Sequence, residues 1–128
     1  MAPRGPVVIT SRSLSADNRT NTAVFEGDVV AKTGDVVLHA DRMKVQYLPE
    51  GGGVSLIEAE GGVKLVRGDR VVTSGRATYY GDERKIIFTE EPRAVQDGNV
   101  ITGSRMTYLI DEDRSIIEDS KVFLQEKG

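Results

Sequence analysis

A chain of 128 residues, 38% of them hydrophobic, is long enough for one continuous core and short for two, so residues 1–128 are read as a single domain. Seventeen Lys+Arg against 20 Asp+Glu leave a net charge of −3, which lacks the basic excess that a phosphate backbone demands and argues against nucleic acid as a partner. Without a cysteine there is no disulfide scaffold, thiolate metal site or cysteine nucleophile.

The chain opens on Met1-Ala2-Pro3-Arg4-Gly5-Pro6, which lacks the apolar run of a signal peptide, and a processed form whose leader has been removed is expected. The first predicted element is the forward arm Val8-Ile9-Thr10-Ser11-Arg12-Ser13-Leu14-Ser15-Ala16-Asp17. A reversal at 17–21 leads into a return arm at 23–32, rich in Val and Phe, with Gly27-Asp28 midway. After a turn at 33–35 the ten-residue pattern recurs as Val37-Leu38-His39-Ala40-Asp41-Arg42-Met43-Lys44-Val45-Gln46, then a loop at 48–53 and a return arm at 55–67 punctuated by Gly61-Gly62. Past Gly68-Asp69 the third copy is Val71-Val72-Thr73-Ser74-Gly75-Arg76-Ala77-Thr78-Tyr79-Tyr80, followed by a turn at 81–83 and a return arm at 85–96 broken at Glu91-Pro92. A reversal at 97–99 precedes the fourth copy, Val100-Ile101-Thr102-Gly103-Ser104-Arg105-Met106-Thr107-Tyr108-Leu109, and 111–113 turn the chain into a last return arm at 115–125, interrupted at Ser120-Lys121. The copies begin at 8, 37, 71 and 100, intervals of 29, 34 and 29 residues, the longer one taken up by the 48–53 loop.

Down the columns, the second position is apolar (Ile9, Leu38, Val72, Ile101) and the fourth is small (Ser11, Ala40, Ser74, Gly103). Apolar character then resumes on odd columns, at the seventh (Leu14, Met43, Ala77, Met106) and the ninth (Ala16, Val45, Tyr79, Tyr108). Strand side chains alternate with period two, so a change of parity without loss of pattern means a residue inserted at columns five and six, a bulge or corner in every unit. No segment carries a helical period. Eight antiparallel arms creased at one place describe an all-β fold, an open antiparallel β-jelly roll or β-taco of four repeats, whose equivalent columns line up as apolar stripes inside the crease. If every arm breaks at the crease, as many as sixteen short strands result.

The stretches Val24-Phe25-Glu26-Gly27-Asp28-Val29-Val30, Leu38-His39-Ala40-Asp41-Arg42-Met43-Lys44-Val45 and Gly103-Ser104-Arg105-Met106-Thr107-Tyr108-Leu109 resemble the repeat signatures of the LptA/OstA-like family, over Pro6 to Gln125. The resemblance implies a periplasmic protein, not an enzyme and without a cofactor, that binds lipopolysaccharide through the acyl chains of lipid A. It also implies a bridge to the outer membrane, with LptC-like and LptD-like β-jelly-roll domains as partners. On that basis Val7, Ile9, Leu65 and Tyr79 are the expected lipid contacts, and extension along the repeat adds Leu38, Met43, Val72, Ile101, Met106 and Tyr108. Gly81 stands where the family would have a larger apolar residue, so a wider groove is expected there. An open meander leaves its first arm (Val7, Val8, Ile9) and last arm (Val122, Phe123, Leu124) with unpaired backbone, which predicts a head-to-tail homo-oligomer.

Other readings stand beside these. The stripes could close into a dry core, giving a structural β-repeat protein that polymerises into a scaffold. A carbohydrate-binding jelly roll is disfavoured, with 5% aromatics and no tryptophan to stack on sugars. Arg42, Arg76 and Arg105 share the sixth column and could clamp lipid A phosphates, though solvated arginines on a convex corner are the preferred reading. His39, the only histidine, lacks clustered ligand partners, Glu90-Glu91 and Asp111-Glu112-Asp113 read as charged turns, and Ser11, Ser74 and Ser104 sit outside any nucleophile motif. No metal site is expected.

Overall fold

The computed structural model describes residues 6–125. Every arm of the meander is extended, and the one helical segment among the described residues is a 3₁₀ turn at Pro49–Gly51 inside the 48–53 loop. Twelve strands form one antiparallel sheet. They are β1 (Val8–Thr10), β2 (Ser13–Asp17), β3 (Thr22–Thr33), β4 (Val36–Tyr47), β5 (Val54–Arg67), β6 (Arg70–Tyr80), β7 (Lys85–Thr89), β8 (Arg93–Gln96), β9 (Asn99–Thr102), β10 (Arg105–Leu109), β11 (Arg114–Glu118) and β12 (Lys121–Phe123). The count falls short of sixteen because β3, β4, β5 and β6 run unbroken through the crease, whereas the outer arms split in two.

The crease divides the sheet into two leaves. The first holds β1, the outer parts of β3 to β6, then β8, β9 and β12; the second holds β2, the remaining parts of β3 to β6, then β7, β10 and β11. β6 is where the sheet forks, pairing with β8 through 71–73 and with β7 through 76–80. All seven reversals fall where turn chemistry predicts them.

At the crease the register slips between Glu26 and Val29, between His39 and Arg42, and between Glu60 and Val63, which is the parity change seen in the columns. The fifth-column residue sits directly against the return arm: the N–H groups of Arg12, Gly75 and Ser104 donate to the carbonyls of Gly27, Glu90 and Glu118 at 3.0, 2.9 and 3.0 Å. Close approach leaves room for one side chain per crossing. Gly27 and Gly61 face Arg12 and Asp41, whose Cβ atoms lie 2.9 and 2.8 Å from where a glycine-replacing Cβ would stand; in the third unit the roles exchange, and Gly75 gives way to Glu90. The return arms bend through positive φ at Gly27 and Asp28, at Gly61 and Gly62, at Glu90 and Glu91, and at Asp119. The third and fourth bends thus fall one residue before Glu91-Pro92 and Ser120-Lys121. Pro92, already past the corner, is instead wholly buried.

Gly81 requires a correction. A Cβ there would lie 1.9 Å from the carbonyl oxygen of Val54, and the Gly81 N–H donates to the Ser55 carbonyl at 2.9 Å. Backbone fills the space that a side chain would take, so the glycine marks a tight crossing; a cavity of about 850 Å³ does lie beside it, bordered by Val7, Val54 and Tyr79, but it does not arise from a missing side chain.

Candidate functional site: the apolar crease

Strand register places the predicted columns on continuous rows. In the first leaf Ile9, Ala31, Leu38, Leu65, Val72, Ala94, Ile101 and Val122 are successive cross-strand partners. The second leaf carries a row through Leu14, Phe25, Met43, Ala59, Ala77, Phe88, Met106 and Ile117, and another through Ala16, Ala23, Val45, Ile57, Tyr79, Ile86, Tyr108 and Ser115. Nine of the ten predicted contacts lie on these rows: Ile9, Leu38, Leu65, Val72 and Ile101 on the first, Met43 and Met106 on the second, Tyr79 and Tyr108 on the third. Val7 lies just outside β1, half-buried, against a small gap bounded by Leu38, Ile57 and Tyr79.

Burial along the rows is uneven. From Val29 to Leu65 the leaves are packed shut, with Val29 and Met43 at 0% exposure. Toward the carboxy-terminal end the first leaf opens: Val72, Ala94 and Ile101 are half-buried and Val122 is exposed. A cavity of about 600 Å³ lies between the leaves there, with Leu65, Val72, Ala94 and Ile101 on one side and Phe88, Met106 and Tyr108 on the other. That volume is within the roughly 300–1,000 Å³ typical of ligand pockets. Five predicted contacts border it, namely Leu65, Val72, Ile101, Met106 and Tyr108; Met43 and Leu38 belong to the sealed stretch instead. Phe88, Ala94 and Ile117 were missed by column reading because they sit on return arms, where the repeat is weaker; pairing each forward column with its hairpin partner would have found them.

The cavity carries a polar rim. Arg67 Nη1 donates to the Tyr108 hydroxyl at 2.6 Å and to the Ile110 carbonyl at 3.0 Å, while its Nε meets Asp35 at 3.0 Å. The Tyr108 hydroxyl donates to Asp113 Oδ1 at 2.6 Å, and Arg70 pairs with the same oxygen at 2.5 Å. Both guanidinium groups lie over the Tyr108 ring, 6.0 and 5.9 Å from its centre. Burial and the bond to Asp113 push the Tyr108 phenol above its ordinary value of 10.0, so it remains a donor at neutral pH. The hydrogen bond from Tyr108, and then that from Arg70, hold the Asp113 carboxyl below its ordinary 3.8. A depressed carboxyl stabilises the fold above its unfolded value, and the contribution disappears as pH falls through the folded value. Asp113→Asn is therefore expected to be less stable than the parent at neutral pH, with the difference shrinking toward zero as pH drops below 3.8 in urea titrations. A constant difference across that range would show that Asp113 acts otherwise.

The sixth-column arginines follow the preferred reading, solvent-exposed on the convex corner, with one addition, their glutamate partners. Arg42 pairs with Glu60 at 3.1 Å, Arg76 with Glu60 and Glu90 at 3.0 and 2.7 Å, and Arg105 with Glu118 at 3.6 Å. They form ladder pairs on the convex side of the crease, facing away from the cavity, each worth about 0–1 kcal/mol. The serines at the bend are used locally: Ser11 and Ser74 donate to the carbonyls of Ser13 and Arg76, and Ser104 donates to Asp119. Glu90 and Asp111 are taken up by Arg76 and Arg84.

A forked, creased antiparallel sheet with an apolar interior that opens toward the carboxy-terminal end defines an open β-jelly roll. The sequence matches the family described as LptA/(LptD N-terminal domain) LPS transport protein over residues 8–114, and the chain belongs to that family. A solved structure with the same fold is LptH of Pseudomonas aeruginosa, described as the LptA homologous periplasmic component of the conserved lipopolysaccharide transport device. It superposes with a TM-score of 0.83 at 13% identity over 95% of this chain and 96% of that one. No curated protein sequence matches the chain.

Proposed function

We propose that this protein is a single-domain lipopolysaccharide carrier of the periplasm, holding lipid A acyl chains between its leaves while the sugars stay in water. The observation that carries the reading is the 600 Å³ cavity at the open end of three continuous apolar rows, in a chain of a lipopolysaccharide-transport family. Acyl burial at about 0.8 kcal/mol per methylene supplies affinity without help from a net charge of −3. The lipid contacts that best fit the geometry are Leu65, Val72, Ile101, Met106 and Tyr108, with Val7, Ile9, Leu38, Met43 and Tyr79 continuing the rows inward. No step calls for a metal or cofactor.

The exposed large apolar side chains support assembly. Val8 and Leu14 lie on one edge of the sheet, and Ile116, Val122, Phe123 and Leu124 lie on or beside the other. Among the described residues β1 and β2 pair only with β3, β11 only with β10, and β12 only with β9, so both edges offer backbone groups for pairing. In our reading these edges join copies of the chain head to tail, and join it to LptC-like and LptD-like domains, so that the creases run on as one bridge.

Photocrosslinking tests the lipid site. A photoreactive residue at Ile101 or Met106 is expected to label lipopolysaccharide, whereas one at Thr78, whose alternation points it out of the second leaf, is expected not to. Equal labelling at all three would sink the groove assignment. The scaffold alternative is favoured by the sealed 29–65 stretch, and lipid-free protein after organic extraction of a freshly purified sample would favour it over carriage.

A further inference from the structure

The crease joins the two leaves along one side, since every arm of the chain passes through it. On the opposite side the leaves end in turns, and there the mouth of the cavity is closed by side chains alone. Asp35, Arg67 and Arg70 stand at the turns of the first leaf, around 34–35 and 68–69. Tyr108, Ile110 and Asp113 stand at the turn of the second leaf, around 110–113. Among the described residues, every side-chain hydrogen bond and ion pair that joins the outer ends of the two leaves comes from Arg67 or Arg70: Arg67 to Tyr108, to the Ile110 carbonyl and, at 4.0 Å, to Asp113, and Arg70 to Asp113. The other polar contacts lie within a leaf, as for Arg84 with Asp111, or across the crease, as for Arg76 with Glu90.

We propose that Arg67 and Arg70, with Tyr108 and Asp113, form a releasable clasp across the mouth of the carboxy-terminal cavity, and that its opening admits an acyl chain sideways between the leaves. The inference rests on the lipid-carrier reading for what enters. Three features make the clasp a gate and not a permanent tie. Its carboxylate is reached by water, with 51% of the Asp113 side chain exposed against 27% of Arg70, and ion pairs open to water on one side have small net worth, so they part readily. It stands at the boundary where the sealed stretch gives way to the cavity, and Arg67, Arg70 and Tyr108 all border that cavity. Opposite the mouth, the return arms that enclose the cavity bend at left-handed residues, Glu90 and Glu91 in one and Asp119 in the other, between separate short strands that can pivot there. Tyr108 links the two functions: its ring lines the cavity while its hydroxyl accepts from one leaf and donates within the other.

Two variants cut the clasp from its two sides. Asp113 has φ of +50°, so Asp113→Gly removes the shared carboxylate at a position where glycine is unstrained. The double variant R67Q/R70Q removes both guanidinium groups, and with them the bonds to Tyr108, Ile110 and Asp113. Arg76→Gln serves as control, since it breaks ion pairs at the crease, on the side away from the mouth. The chain has no native cysteine, so spin labels can be placed at Asp69→Cys and Glu112→Cys, one on each side of the mouth, in all four backgrounds. R67Q/R70Q is expected to shift the interlabel separation to longer, broader values and to raise the uptake rate of cis-parinaric acid several-fold, Asp113→Gly to do both to a smaller extent, and Arg76→Gln to match the parent in both. An unchanged separation in both clasp variants overturns the gate even if the probe binds. A longer separation with unchanged uptake also overturns it, because the mouth is then not the entry. A longer separation with no probe uptake by any chain, the parent included, supports the clasp and counts against the acyl-chain reading.

Discussion

Replacing Phe88 by alanine is expected to cost about 3–5 kcal/mol of folding stability, most of what a domain of this size has to lose. Phe88 is 1% exposed on β7, between Ala77 and Met106 on the same row, and it also walls the cavity. Ala77 and, one strand further, Ala59 are too short to fill the vacated space, so the lost ring leaves a void continuous with the cavity. Leu14 occupies the same row at its free end, 57% exposed on β2, and Leu14→Ala is expected to cost no more than about 0.5 kcal/mol. Urea unfolding at low protein concentration measures both. A loss below about 1 kcal/mol at Phe88 would mean that the interior around the cavity is not packed as described.

The contrast between those two positions shows what the sequence discloses and what it leaves hidden. The parity change within each repeat is a local signal, and it located the crease correctly in all four forward arms because an inserted residue must move every later side chain to the other face. The reversals were equally legible, since Gly, Asp and Asn mark them by their own backbone preferences. Depth was not legible. Leu14 and Met43 share the seventh column, yet one is exposed and the other sealed, because burial depends on how many strands lie on either side, and Leu14 is on an edge. The clasp was equally hidden. Arg67 and Arg70 flank one turn and Asp113 lies in another more than 40 residues on, and in the sequence they read as ordinary charged punctuation; only the fold of one leaf over the other brings them together. For the sixth-column arginines the preferred reading, an exposed convex corner, holds, and what the spacing did not disclose is their shared neighbours, the glutamates of the return arms.

Association is expected to rise with concentration and to be abolished from either edge. The exposed apolar residues of β1 and β12, Val8, Val122 and Phe123, stand beside backbone groups that no strand among the described residues occupies. The two edges differ in sequence, so pairing the last with the first is heterologous and propagates instead of closing into a dimer. Along an antiparallel edge strand, N–H groups point alternately to the inner neighbour and outward, so of two adjacent residues one must direct its donor away from the sheet. Proline placed singly at Val8 and at Ile9, and singly at Val122 and at Phe123, therefore includes on each edge one variant that deletes an outward donor and leaves the ladder to β3 or β9 intact. Light scattering over a concentration series is expected to show growing mass for the parent and a monomer for one proline variant of each pair. Mixing an amino-terminal-edge variant with a carboxy-terminal-edge variant is expected to restore association only to the dimer, through the one intact edge that each retains. A parent that stays monomeric at high concentration, or a mixture that forms long fibres, would rule out growth through these two strands.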